Sequence, residues 1–173
     1  MKFDVIDLTQ NGNIRFSLRR WARNKQPFLS IVHVAVSGDY RVGSSGAPDA
    51  HYIAGIVGTV NSVWHPSAMI LDLRELRYEW GDEMDLVLQP ARDIWAVVVS
   101  ALCEPAISTL FYGINANSNE TVLDEPNFFD DLDSAIDYVT EALAVDWNAR
   151  VERGGTWLTR SDLITADELR HDS

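Results

Sequence analysis

Apolar positions in this chain fall into two patterns. Short unbroken runs at residues 68–71 (Ala-Met-Ile-Leu) and 95–100 (Trp-Ala-Val-Val-Val-Ser) have the length and flanks of strands buried on both faces. Residues 28–36 are rich in β-branched side chains and predict another strand with His33 at its middle. Ile14, Phe16 and Leu18 alternate with Arg15, Ser17 and Arg19, a half-buried strand with a basic outer face. Between these, Tyr52, Ile53, Ile56, Val57, Val60, Val63 and Trp64 recur at helical spacing. The spacing predicts a helix N-capped by Asp49 and ended by His65-Pro66. Gly55 and Gly58 inside it imply close packing against the sheet. Leu132, Ala135, Ile136, Val139 and Leu143 form the clearest helical stripe, starting at Asp130 with acidic residues in its first turn.

The remaining segments are weaker. Asn11-Gly12-Asn13 is a hairpin-type turn signal, residues 82–91 are weakly helical, 104–110 form a turn of helix or a loop, and 110–114 read as a short strand. Residues 115–127 are polar and loop-like. Thr165 and Glu168 are spaced as a capping box for a last short helix. Strands alternating with helices predict an α/β fold, a mixed and largely parallel sheet with flanking helices and right-handed crossovers. The expected organisation is one domain over residues 1–147 and a C-terminal appendage over 148–173, where arginines and Gly154-Gly155 change the composition.

Charge then limits the function. The chain has 173 residues and a formal net charge of −12, which disfavours nucleic acid and anionic membranes as partners. No apolar run approaches a membrane span, no signal peptide is visible, and the lone Cys103 has no disulfide partner, so a cytoplasmic protein is expected. No Lys or Arg occurs between Arg92 and Arg150, whereas eleven Asp and Glu do. That segment predicts a negative face able to steer a basic partner.

The stretch 68–84 organises the middle of the chain. An apolar strand leads through Asp72 into a turn dense in charge and aromatics, Arg74 to Glu83. The Met-Ile-Leu-Asp-Leu run at 69–73 and the Phe-Asp-Asp-Leu-Asp-Ser-Ala-Ile run at 129–136 resemble pieces of STAS-like domains, the α/β regulators that include anti-sigma-factor antagonists. The resemblance implies a STAS-like fold. Tyr78-Glu-Trp-Gly-Asp82 replaces the Asp-Ser-Ser-Gly-like segment that regulatory members phosphorylate, so a phosphoswitch is not implied. A weaker similarity to the crotonase superfamily lacks the glycine-rich turns of its oxyanion hole around 103–106.

No residue set spells out a reaction. Glu75, Glu79, Asp82, Glu83 and Asp85 are interleaved with or flanked by Arg74 and Arg77, as on a solvated turn. The four histidines lack metal-ligand spacing, and Cys103 has no basic neighbour. Ser44 and Ser45 in Gly43-Ser-Ser-Gly46 have no lysine behind them for a phosphate. The expectation is therefore a non-enzymatic protein-binding module without cofactor or metal. One form is an immunity protein that masks the basic active site of a toxin. The expected contact residues are Tyr78, Glu79, Trp80, Asp82, Glu120, Asp124, Glu125, Asp130, Asp131 and Asp137. The alternative is a small-molecule-binding or degenerate enzyme domain of STAS or crotonase type, with a pocket near Asp72 and Trp80.

Overall fold

The computed structural model describes residues 13–23, 26–113, 120–154 and 160–171. Its centre is a five-stranded mixed sheet in sequential order. The strands are β1 (Arg15–Arg23), β2 (Gln26–Asp39), β3 (Ala68–Arg77), β4 (Trp95–Val98) and β5 (Phe128–Phe129). β1 is an antiparallel edge strand on β2, and the other three pairings are parallel. The helices are α1 (Ala47–Trp64), α2 (Met84–Val87), α3 (Glu104–Tyr112), α4 (Leu132–Glu152) and α5 (Ala166–His171). The fold is thus α/β, as the alternation of patterns predicts. The Asn11-Gly12 part of the hairpin signal lies outside the described residues.

Two cores follow from the period-2 alternation of the strands. Val32, Val34 and Val36 of β2 and Met69, Leu71 and Leu73 of β3 meet Ile53, Val57 and Val60 of α1, with Ile107 of α3 in the same cluster. On the opposite face, Ile31, Ile70, Ala96 and Val98 meet Ala135, Val139, Leu143 and Trp147 of α4. The 147/148 boundary drawn from composition falls inside α4. Ile164 and Leu169 beyond it are buried in that second core. Trp147 Nε1 donates to the Asp162 carbonyl (2.6 Å), and the Asn148 side chain brackets Ile164, Nδ2 donating to its carbonyl and Oδ1 accepting from its N–H. The Thr165–Glu168 capping box forms as spaced, with reciprocal bonds of 2.7 and 3.2 Å.

Several local expectations are corrected. Asp49 is not the N-cap of α1. It is fully buried in the first turn and accepts from Arg41 N, Nε and Nη2 at 2.9, 3.0 and 2.7 Å, while Gly46 is the N-cap and Pro48 sits in the first turn. Gly55 and Gly58 do not pack on the sheet, since a Cβ at either would meet open space. Residues 110–112 end α3 rather than form a strand, because Leu110 and Phe111 continue the helix begun at Glu104-Pro105, and Gly113 at φ 85° stops it. α4 starts at Leu132 rather than at Asp130, with Asp131 as its N-cap. β3 runs on to Arg77, so the turn is shorter than the charge pattern suggests.

β3 carries a bulge where it pairs with β2. Ala35 pairs with Asp72 but Ser37 pairs with Glu75, so β3 carries one extra residue there. Leu73 and Leu76, three apart, consequently enter the same core. Asp72 and Arg74 are left on the α4 side of the sheet.

Candidate functional site

The parallel strands deliver their connecting loops to one edge, where ligands meet open α/β sheets. Two features of interest stand there, one on each side of the sheet.

The first is a double loop built from residues 40–46 and 78–83. Tyr40 and Tyr78 are buried and stack edge to face, centroids 5.1 Å apart. Tyr40 Oη donates to the Asp82 carbonyl (2.6 Å) and Tyr78 Oη to that of Gly81 (3.3 Å). Burial is the main reason both phenols are pushed above their ordinary pKa. Asp82 N donates to Gly43 O (3.1 Å), and Gly43 and Gly81 form an isolated parallel bridge. A Cβ on Gly81 would stand 2.6 Å from the Tyr40 ring, so only glycine closes the loops this tightly. Glu83 follows at φ 66°, an uncommon conformation for a non-glycine residue, and its carboxylate pairs with His51. The product of this fixed framework is Trp80. Its indole rests against Gly43 yet stays 59% exposed, beside exposed Val42, Glu79 and Asp82.

The second feature lies on the α4 side. Asp72 is buried and almost fully engaged. Arg74 grips it twice, Nε to Oδ1 at 2.9 Å and Nη2 to Oδ2 at 2.7 Å, and Arg74 N donates to Oδ1 at 3.1 Å. His33 Nε2 lies 3.1 Å from Oδ2. A carboxylate only accepts, so Nε2 carries the proton in that bond. Burial alone would raise the Asp72 pKa, but the hydrogen bonds from His33 and Arg74 outweigh it and hold the carboxyl well below the usual range. The cluster borders a cavity of about 490 Å³ that also takes in Arg15, Ser17 and Arg19 from β1. In the sequence His33, Asp72 and the basic face of β1 are separate features. Their meeting depends on the register of three strands, which no local signal encodes.

The predicted contact residues separate in space and in character. Tyr78, 4% exposed, is a core support and cannot anchor a partner. Glu79, Trp80 and Asp82 share the exposed loop. Asp130 is exposed at the same carboxyl edge, beyond β5, and Asp131 caps α4 through Ser134 N and Oγ at 2.8 and 2.6 Å. Those bonds hold the Asp131 carboxyl below its usual range. Glu125 accepts from Tyr112 Oη (2.9 Å), close to exposed Glu120, Asp124, Phe111 and Leu123. Asp137 is exposed but ion-paired: Arg170 of α5 lies 2.7 Å from it and 3.2 Å from Glu141. Asp146 is likewise paired with Arg150 (2.7 Å). The acidic face on α4 is thus partly neutralised by arginines from outside the lysine- and arginine-free segment.

Cys103 is buried, and burial pushes its thiol up to about 11. Among the described residues no group of three or more His, Cys, Asp and Glu is placed to hold a metal ion, and no helix is long and apolar enough to cross a membrane. The cavity does not include Trp80, so Asp72 and Trp80 belong to different places. No family model, no curated protein and no solved structure matches this chain.

Proposed function

We propose that the protein is a non-enzymatic module that binds a basic surface of another protein, with Trp80 as its anchor. The observation that carries this reading is the presentation of Trp80. A tryptophan left 59% exposed in water on a loop fixed by two buried tyrosines, a glycine bridge and a non-glycine residue at positive φ is a side chain held ready for a pocket. Little ordering entropy is lost when such a side chain docks, and tryptophan is prominent among residues that dominate interface energy. Exposed Glu79 and Asp82 stand beside it on the same loop. In a chain of net charge −12, these two carboxylates favour encounter with a positive partner.

The finer form of the proposal is an immunity protein covering the basic active site of a toxin. The overall negative charge and the absence of Lys and Arg from 93 to 149 support it. Kinship with STAS-like regulators is a companion proposal. It is supported by the position of the 69–73 run on central strand β3 and of the 129–136 run at the start of α4.

A photo-crosslinking amino acid in place of Trp80 tests the contact in native lysate. The proposal expects covalent capture of one predominant basic protein, and no such adduct when the same probe replaces Val145 on the outer side of α4. Equal adducts from both positions would count against it.

A further inference from the structure

The cavity beside His33 and Asp72 has a charge balance unlike the rest of the chain. Three arginines, Arg15, Arg19 and Arg74, line it against two carboxylates, Asp72 and Glu75. Arg74 is consumed by Asp72. Arg15 and Arg19 have no carboxylate partner among the described residues, although the protein carries 26 acidic side chains against 14 basic ones. Both sit on the exposed edge strand, opposite Ser37 and His33 in the β1–β2 register, so they project on the same face as the cavity. They are four residues apart on a strand, about 14 Å between α-carbons, and flank the cavity rather than meet at one point. α4 covers β3, β4 and β5, which leaves this part of the sheet open. The amides at the start of α4 are not the attraction, because Asp131 already caps them. His33, with Nε2 committed to Asp72, has no other hydrogen-bond partner among the described residues and borders the same space.

We infer that this cavity is a binding site for a small organic oxyanion, a carboxylate or a phosphate ester, held between Arg15 and Arg19. Guanidinium groups match both oxyanion types with paired hydrogen bonds. The charge of Asp72 is offset by Arg74, and both its oxygens are engaged by Arg74 and His33, so its repulsion of such a ligand is reduced. Glu75 in the lining, and Asp131 through its field on Arg74, are the carboxylates that oppose it. The site is independent of the Trp80 surface.

The test is an amide-resolved NMR titration of the full chain with citrate and, separately, glycerol 3-phosphate, against sodium chloride at matched ionic strength. Expected are saturable shifts centred on residues 15–19, 33–37 and 72–75 with at least one of the two anions. The arm that saturates at lower concentration identifies the oxyanion class. Arg15→Ala/Arg19→Ala, two exposed positions, should weaken binding by about tenfold or more with an unchanged melting temperature. Arg77→Ala, outside the cavity, should bind like wild type. Shifts no larger than with chloride for both anions, or full affinity in the double variant, would overturn the inference. A retained melting temperature in the double variant separates lost binding from lost folding.

Discussion

The Trp80 indole rests against Gly43, whose φ of 64° and missing Cβ create the space it occupies; a Cβ at that position would stand 3.1 Å from Trp80 Cη2. Gly43→Ala therefore meets two obstacles, a backbone at φ 64° and ψ −146° that side chains rarely adopt and a displaced indole. The expected cost is about 1–3 kcal/mol, read as a lower urea midpoint. Emission of Trp80, obtained as the difference between each protein and its Trp80→Phe counterpart, should shift to the red as the indole lifts off the loop. An unchanged midpoint and difference spectrum would show that this contact does not fix the ring.

Acid should weaken the fold through Asp72. Its carboxyl is held well below the usual range by His33 and Arg74 in the face of burial, whereas the unfolded chain titrates near about pH 4. The folded state thus binds fewer protons below that pH. The contribution of Asp72 is fully present above about pH 4 and is lost progressively as pH falls through the folded value. Asp72→Asn should lower stability at neutral pH by about 2 kcal/mol, the scale of hydrogen bonds to a charged group, and should flatten the acid limb of the stability curve. A variant with wild-type stability at pH 7 and an equally steep acid limb would contradict this assignment.

Cys103 should be inert in the native protein. It is buried with its thiol pushed up to about 11, so little thiolate is present at neutral pH and reagents have no access. Labelling should proceed at the rate of unfolding, not of thiol chemistry. The linkage runs opposite to that of Asp72: a raised folded pKa makes this contribution full below about pH 8.5, the free-thiol value, and erodes it as pH rises toward 11. Rapid stoichiometric labelling under native conditions would show that the α3 end of the core opens readily.

Arg170 ties α5 to α4 through Asp137 and Glu141, with Asp167 of its own helix 3.0 Å away. Its Nε approaches Asp137 without hydrogen-bond alignment, and the carboxylates are largely exposed. Arg170→Ala should therefore cost less than about 1 kcal/mol, and less still in high salt. Leu169 and Ile164 in the core, not the ion pairs, hold the helix. A loss several times larger would assign the docking of α5 to charge.

The apolar runs at 68–71 and 95–100, the amphipathic stripe of α4 and the His65-Pro66 helix stop were legible because each is a local pattern with one physical solution. What escaped was non-local. The two-residue β5 is defined by its pairing with Val97 and Val98, and α3 is a helix because Ile107 finds the core and Ser108 accepts from Val122 N. The acidic stretch 93–149 was visible, but its partial neutralisation was not, since Arg150 and Arg170 lie beyond it in sequence. Trp80 could be singled out by composition. That it stays exposed while Tyr78, two residues earlier, is buried follows from the turn closed by Gly43 and Gly81.

The central claim, that Trp80 anchors a basic protein partner, is tested most directly by quantitative capture from native lysate with immobilised wild-type and Trp80→Ala protein, at low and high salt. Trp80→Ala should fold with an unchanged melting temperature, because the ring is largely exposed. The account predicts a protein of basic isoelectric point retained by wild type, lost by at least about tenfold on Trp80→Ala, and released progressively by salt. Equal retention of that protein by both baits, or retention that salt does not weaken, would contradict it.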